Sequence, residues 1–129
     1  LFDKDQIRDV LATYARGVDR GDGPMLKSCY HPDAIEEHGG RYTGNAYEYV
    51  DGAIPRIRQM DAMQHVLGTS HFDFVTDDLA YVETYIVTLA RVKVADEVPG
   101  AIDVSVGHEA ESSVRPQAMP PSIVFATRS

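Results

Sequence analysis

The sequence has no tryptophan and only one cysteine, Cys29, among its 129 residues. A single thiol excludes an intrachain disulfide and fits a reducing compartment. Positive charge is scarce as well: twelve Lys and Arg stand against twenty Asp and Glu, a net charge of −8. That balance repels a phosphate backbone or an anionic membrane, so neither nucleic acid nor a membrane is expected as a partner. No apolar run approaches the roughly 18 to 20 residues that span a bilayer, and Leu1-Phe2-Asp3-Lys4-Asp5 lacks the basic and apolar layout of a signal peptide. The expected location is the cytoplasm. A Walker loop and a Gly-x-Gly-x-x-Gly turn are both missing, which removes the usual support for a nucleotide cofactor.

What is present suits one soluble domain, with 43% apolar and 25% charged residues. Ile7, Val10, Leu11, Tyr14, Ala15 and Val18 recur at spacings of three and four, the stripe of an amphipathic helix. Asp3 is placed to cap it, and Gly17, Gly21 and Gly23 to end it. A short helix is expected after Pro24, a turn at His31-Pro32-Asp33, and short strands over residues 34–37 and 41–43. Asn45 is positioned to cap a third helix reaching about Met60, with Gly52 and Pro55 arguing against its continuity. Residues 63–75 and 79–95 are rich in β-branched and aromatic side chains and flank the turn Thr76-Asp77-Asp78, so they are expected to form a long hairpin in a strongly curved sheet. Residues 96–129 hold four of the seven prolines and one of the eleven aromatics, which limits the expected strands there to 102–106 and 122–126. The order of elements indicates an α+β fold, helices packed on one face of a bent antiparallel sheet, with a pocket at its open end.

Asp19 is out of place electrostatically. It lies at the C-terminal end of the first helix, where the macrodipole disfavours a carboxylate by some tenths of a kcal/mol. It also falls at the border of the apolar stripe, so it is either a solvated turn residue or a group aimed inward. His65 stands at the start of an apolar strand, and an imidazole held by a carboxylate in a pocket is a competent general base. The alternative is an idle histidine at a strand edge. Tyr14, on the apolar stripe, is either core or a hydroxyl that donates to a substrate oxygen. His71 is expected on a wall or surface. His31, Glu36, Glu37 and His38 lie within eight residues, yet no His-Glu-x-x-His pattern joins them, and no metal is expected. Cys29 lacks an evident base partner for a nucleophilic role.

Four stretches, "IRDVLATYARGVDRGD", "HPDAIEEHGGRYTG", "MQHVLGTSHFDF" and "AYVETYIVTLARV", resemble the SnoaL-like domain family of the nuclear transport factor 2-like superfamily, over about residues 3–106. Within it the pattern is nearest that of scytalone dehydratase, bile acid 7-alpha-dehydratase and hexachlorocyclohexane dehydrochlorinase. The resemblance implies a cone-shaped α+β barrel (cystatin-like, nuclear transport factor 2-like) with a deep pocket and neither metal nor organic cofactor. It matches Asp19 to a catalytic aspartate, His65 to a catalytic histidine and Tyr14 to a helix tyrosine. It further implies a small hydrophobic ligand, homo-oligomers (trimers or dimers), and a dehydratase or dehydrohalogenase in which His65 removes a carbon-bound proton. Isomerases, cyclases and non-catalytic oxygenase small subunits share the fold, so fold alone does not select the reaction.

The likeness stops after "VSVG". Where the family continues into an Arg-Tyr-x-Asp-x-Phe-x-Arg strand and a Gly-x-Trp turn, this chain reads "HEAESSVRPQAMPPSIVFATRS". The expected organisation is therefore a SnoaL-like domain over residues 1–106 and a divergent tail over 107–129, produced by a frameshift or by replacement of the last hairpin. An outer sheet face carrying Tyr81, Tyr85, Val87 and Leu89 is expected to invite a partner surface.

Overall fold

Ile7, Leu11, Tyr14, Ala15 and Val18 all fall on one face of a helix, and all are buried in α1 (Lys4–Arg20). The computed structural model describes residues 4–38, 41–77 and 79–91, together with the backbone of residues 102–115 and 122–127, so the expected Asp3 cap lies outside the described residues. The helix closes in a Schellman motif. Gly21, at φ 60°, donates its N–H to the Val18 carbonyl at 3.1 Å, and Asp22 donates to the Gly17 carbonyl at 2.9 Å. Arg58 Nε donates to the Gly21 carbonyl at 3.1 Å and helps hold the exit in place. Asp22 then caps α2 (Gly23–Lys27), accepting the Met25 N–H at 3.0 Å. The two helices touch through Gly17: a Cβ there would lie 3.0 Å from the Leu26 backbone nitrogen.

β1 (Ile35–His38) and β2 (Tyr42–Asn45) pair antiparallel, and Asn45 caps α3 (Ala46–Arg58) by accepting the N–H groups of Tyr47 and Glu48. Gly52 and Pro55 do not break α3. It stays continuous because Ala46, Val50, Ala53 and Ile54 bury its inner face, and that packing outweighs the one donor lost at Pro55. β3 (Ala62–Thr76) and β4 (Leu79–Arg91) form the expected hairpin around Asp77; Asp78 and the expected continuation over residues 92–95 lie outside the described residues. The register shifts between Leu67 and Ser70, a bulge that bends the strand where Gly68 lies against the Tyr85 backbone.

The C-terminal region corrects the expected strand lengths. β5 (Ile102–Arg115) does not stop at Val106 but runs on for another nine residues, and β6 (Ser122–Thr127) returns antiparallel along it. Ladder hydrogen bonds come from backbone, so a polar run such as Glu109-Ala110-Glu111-Ser112-Ser113 extends when β4 offers an edge to pair with; here Ala110–Val114 register opposite Thr84–Ala80. Compositional bias in the tail therefore did not prevent a final hairpin. The sheet order is β2-β1-β6-β5-β4-β3, with β1 and β6 parallel and every other pair antiparallel.

One face of this bent sheet packs on α1 and α3. Ala80, Val82, Thr84 and Ala90 are buried on it, and Met63, Leu67, Phe72 and Ile86 pack against the core. On the other face Val66, Tyr81, Tyr85, Val87 and Leu89 are exposed. Among the described residues no helix is long and apolar enough to cross a membrane. Helices packed on one face of a mostly antiparallel sheet make the α+β architecture expected from the sequence.

Candidate active site

The Schellman cap fixes the last turn of α1, and with it the direction of Asp19, which leans across to the start of β3. The backbone N–H of His65 donates to both carboxylate oxygens, at 2.9 Å to Oδ1 and 3.1 Å to Oδ2. The His65 ring meets the same group: Nδ1 lies 2.7 Å from Oδ1. These contacts offset the unfavourable helix-end position, and both side chains are largely enclosed, 21% exposed for Asp19 and 12% for His65. With the carboxylate accepting from Nδ1–H, the lone pair of the neutral ring sits on Nε2, and any charge the ring acquires is stabilised at close range. His65 shares the inward side of β3 with Met63 and Leu67, so its surroundings are apolar.

Tyr14 covers this pair. Its ring meets the His65 ring edge-on with centroids 6.4 Å apart, and meets Tyr30 in the same way at 6.3 Å. Tyr14 is buried, and its hydroxyl shares a hydrogen bond with Tyr30. Burial pushes the Tyr14 phenol well above its ordinary pKa, with the Glu36 charge adding to the effect. Tyr30 is displaced upward for the same reason, burial first, and it donates its proton to Glu36 Oε2 at 3.1 Å.

Glu36 was undervalued from sequence. It is fully buried, and its second oxygen, Oε1, lies 3.2 Å from Nδ1 of His38. Tyr49 Oη is also 3.2 Å from that nitrogen, and its ring stacks on the imidazole at 5.1 Å between centroids. The available signal was alternation: Glu36 and His38 are two apart on a strand and so share a face, while Ile35 and Glu37 face outward. Grouping them with His31 and Glu37 as possible metal ligands ignored that split. Among the described residues no three His, Cys, Asp or Glu side chains are placed to hold a metal ion.

Cys29 is 1% exposed, with Sγ near the carbonyls of Val10 and Met25, and burial pushes its thiol up to about 11, the profile of a core residue. His71 is exposed, facing outward from β3 beside Asp73, Tyr81 and Glu83 around a surface depression that does not include Asp19 or His65.

No curated protein sequence matches this chain. Solved structures match its fold closely at low identity. A candidate scytalone dehydratase from Novosphingobium aromaticivorans superposes with a TM-score of 0.80 at 15% identity, over 96% of this chain and 81% of that one. A hexachlorocyclohexane dehydrochlorinase from Novosphingobium barchaimii gives 0.79 at 15%, over 97% and 84%. An NTF2-like protein with a cystatin-like fold, also from Novosphingobium aromaticivorans, gives 0.79 at 21%, over 97% and 81%. A family model, the SnoaL-like domain, matches residues 1–115, which carries the match nine residues beyond residue 106, where the resemblance was expected to end. The chain belongs to the SnoaL-like domain family.

Proposed function

We propose that this chain is a cofactor-independent lyase that eliminates water or halide from a small hydrophobic cyclic compound, with His65 as the base and Asp19 as the carboxylate that positions it. The observation that carries this reading is the 2.7 Å contact between His65 Nδ1 and Asp19 Oδ1, in a setting where the same carboxylate also holds the His65 backbone. His65 Nε2 takes a proton from a carbon next to an activating group. The electron pair left behind forms the double bond as hydroxide or halide departs from the neighbouring carbon. Asp19 stabilises the imidazolium until its proton is returned to solvent. Tyr14 closes one side of the His65 ring and keeps it in line.

Two solved neighbours of like fold are described as a candidate scytalone dehydratase and a dehydrochlorinase, both names for eliminations. An Asp19 pointing to solvent would favour a non-catalytic role; its carboxylate is instead mostly enclosed and bonded to His65. The test is a panel of cyclic ketones bearing a hydroxyl or chloride β to the carbonyl, followed by ultraviolet absorbance of the enone. His65→Ala and Asp19→Asn should each lose about three orders of magnitude in turnover while keeping their circular dichroism. Full activity in either variant contradicts the proposal.

A further inference from the structure

β3 and β4 pair residue against residue over the stretch that carries the candidate base: Met63 stands opposite Ala90, His65 opposite Thr88 and Leu67 opposite Ile86. Residues directly opposite in an antiparallel ladder share a face, with Cβ atoms about 4.5–5.5 Å apart. His65 is on the inward side of the sheet, so Thr88 is too. It is half-buried, whereas its neighbours Val87 and Leu89 are exposed on the other face. His65 and Thr88 thus form one polar row across the hairpin, bracketed by the apolar rows Met63–Ala90 and Leu67–Ile86.

The other inward threonine of β4 has its hydroxyl occupied. Thr84 is 1% exposed, and its Oγ1 lies 2.8 Å from Oγ of Ser70, the residue opposite it on β3. Thr88 has no such partner among the described residues. Because no buried side-chain oxygen among them is left without one, the Thr88 hydroxyl is open to approach rather than sealed in packing. Nor does His65 depend on it, since Asp19 takes both the ring Nδ1 and the backbone N–H. An unspent donor therefore stands one strand away from the base.

We propose that Thr88 is a further catalytic residue, whose Oγ1–H donates to the oxygen of an activating carbonyl while the proton on the adjacent carbon passes to His65. The acidic carbon and the carbonyl oxygen are only two bonds apart, so one small ketone lying along this row meets both side chains. In the balanced step His65 Nε2 gains the proton, the carbon–hydrogen pair becomes the carbon–carbon double bond of an enolate, and the carbonyl π pair moves onto oxygen. Thr88 keeps its proton and stabilises the new charge, through a hydrogen bond stronger to the enolate than to the neutral ketone. Return of the oxygen pair then expels hydroxide or halide from the β-carbon. The activating group is thus an oxygen acceptor, and a halogenated hydrocarbon without one gains nothing from Thr88. This inference rests on the assignment of His65 as base.

The experiment measures exchange of the α-hydrogens of cyclohexanone in deuterium oxide by proton NMR for wild type and three variants at position 88. Valine keeps the branched shape and suits a strand, so Thr88→Val should retain its circular dichroism while exchange falls about 100-fold. Thr88→Ala, which also lacks the hydroxyl, should fall with it. Thr88→Ser restores the hydroxyl and should bring exchange back to within about fivefold of wild type. Exchange within about threefold of wild type in Thr88→Val and Thr88→Ala overturns the inference and leaves the base assignment standing. An equal fall in all three variants does the same, because it marks a packing role. Wild-type exchange no faster than buffer, or undiminished exchange in Asp19→Asn, overturns the base assignment and this inference with it.

Discussion

Asp19 grips His65 twice, at the backbone N–H and at ring Nδ1, so one carboxylate holds both the β3 backbone at His65 and the orientation of its imidazole. Removing the carboxylate strands a partly buried backbone donor, whereas removing the imidazole does not. Asp19→Ala should therefore cost about 1 to 3 kcal/mol of stability, and His65→Ala distinctly less. Urea denaturation of the two variants decides the order; equal losses would show that the backbone contact contributes nothing.

Two glycines separate close packing from helix propensity. Gly17→Ala places a Cβ 3.0 Å from the Leu26 backbone nitrogen and should destabilise by about 1 to 3 kcal/mol as α1 and α2 are forced apart. Gly52, exposed in the middle of α3, has nothing within 4 Å of an added Cβ, and Gly52→Ala should stabilise by about 0.5 to 1 kcal/mol. Thermal melting of both variants should show shifts of opposite sign.

Stability should fall on the alkaline side. Burial raises the Cys29 thiol from 9.0 to about 11 and the Tyr49 phenol from 10.0 to about 12, and holds Tyr14 and Tyr30 well above 10.0. Each group keeps its proton longer folded than unfolded. The stability they contribute is complete below the unfolded pKa and is lost as pH rises toward the folded value, beginning near 9 for the thiol and near 10 for the phenols. Urea midpoints measured from pH 8 to 11.5 should decline through that window, less steeply in Tyr49→Phe. A flat profile would refute the buried-phenol account.

The Cys29 thiol should be nearly inert in the folded protein. At pH 8 the upward shift alone lowers its thiolate fraction by about 100-fold, and burial of Sγ adds to that. Reaction with a disulfide reagent should be slow in buffer and fast in urea; equal rates would show that the thiol is accessible.

Much of this architecture was legible in advance because it rests on periodicity and caps. The α1 stripe and the Asn45 cap follow from local side-chain chemistry, whereas Asp19 was open between solvent and interior, and its 46-residue separation from His65 was bridged by the family resemblance. Continuity of α3 through Gly52 and Pro55 was not legible, since burial of Val50 and Ile54 decides it. Nor was the length of β5, which depends on the edge that β4 offers rather than on its own polar sequence. Glu36 was seen but grouped with His31 and Glu37, although strand alternation already set it on one face with His38.

In the proposed function Asp19 and His65 together remove a proton from carbon. Exchange of the α-hydrogens of cyclohexanone in deuterium oxide reads that step alone, with no leaving group involved. Wild-type protein should accelerate exchange over buffer, and Asp19→Asn and His65→Ala should each reduce the acceleration by at least 100-fold. Wild-type exchange no faster than buffer, or unchanged exchange in either variant, would contradict it.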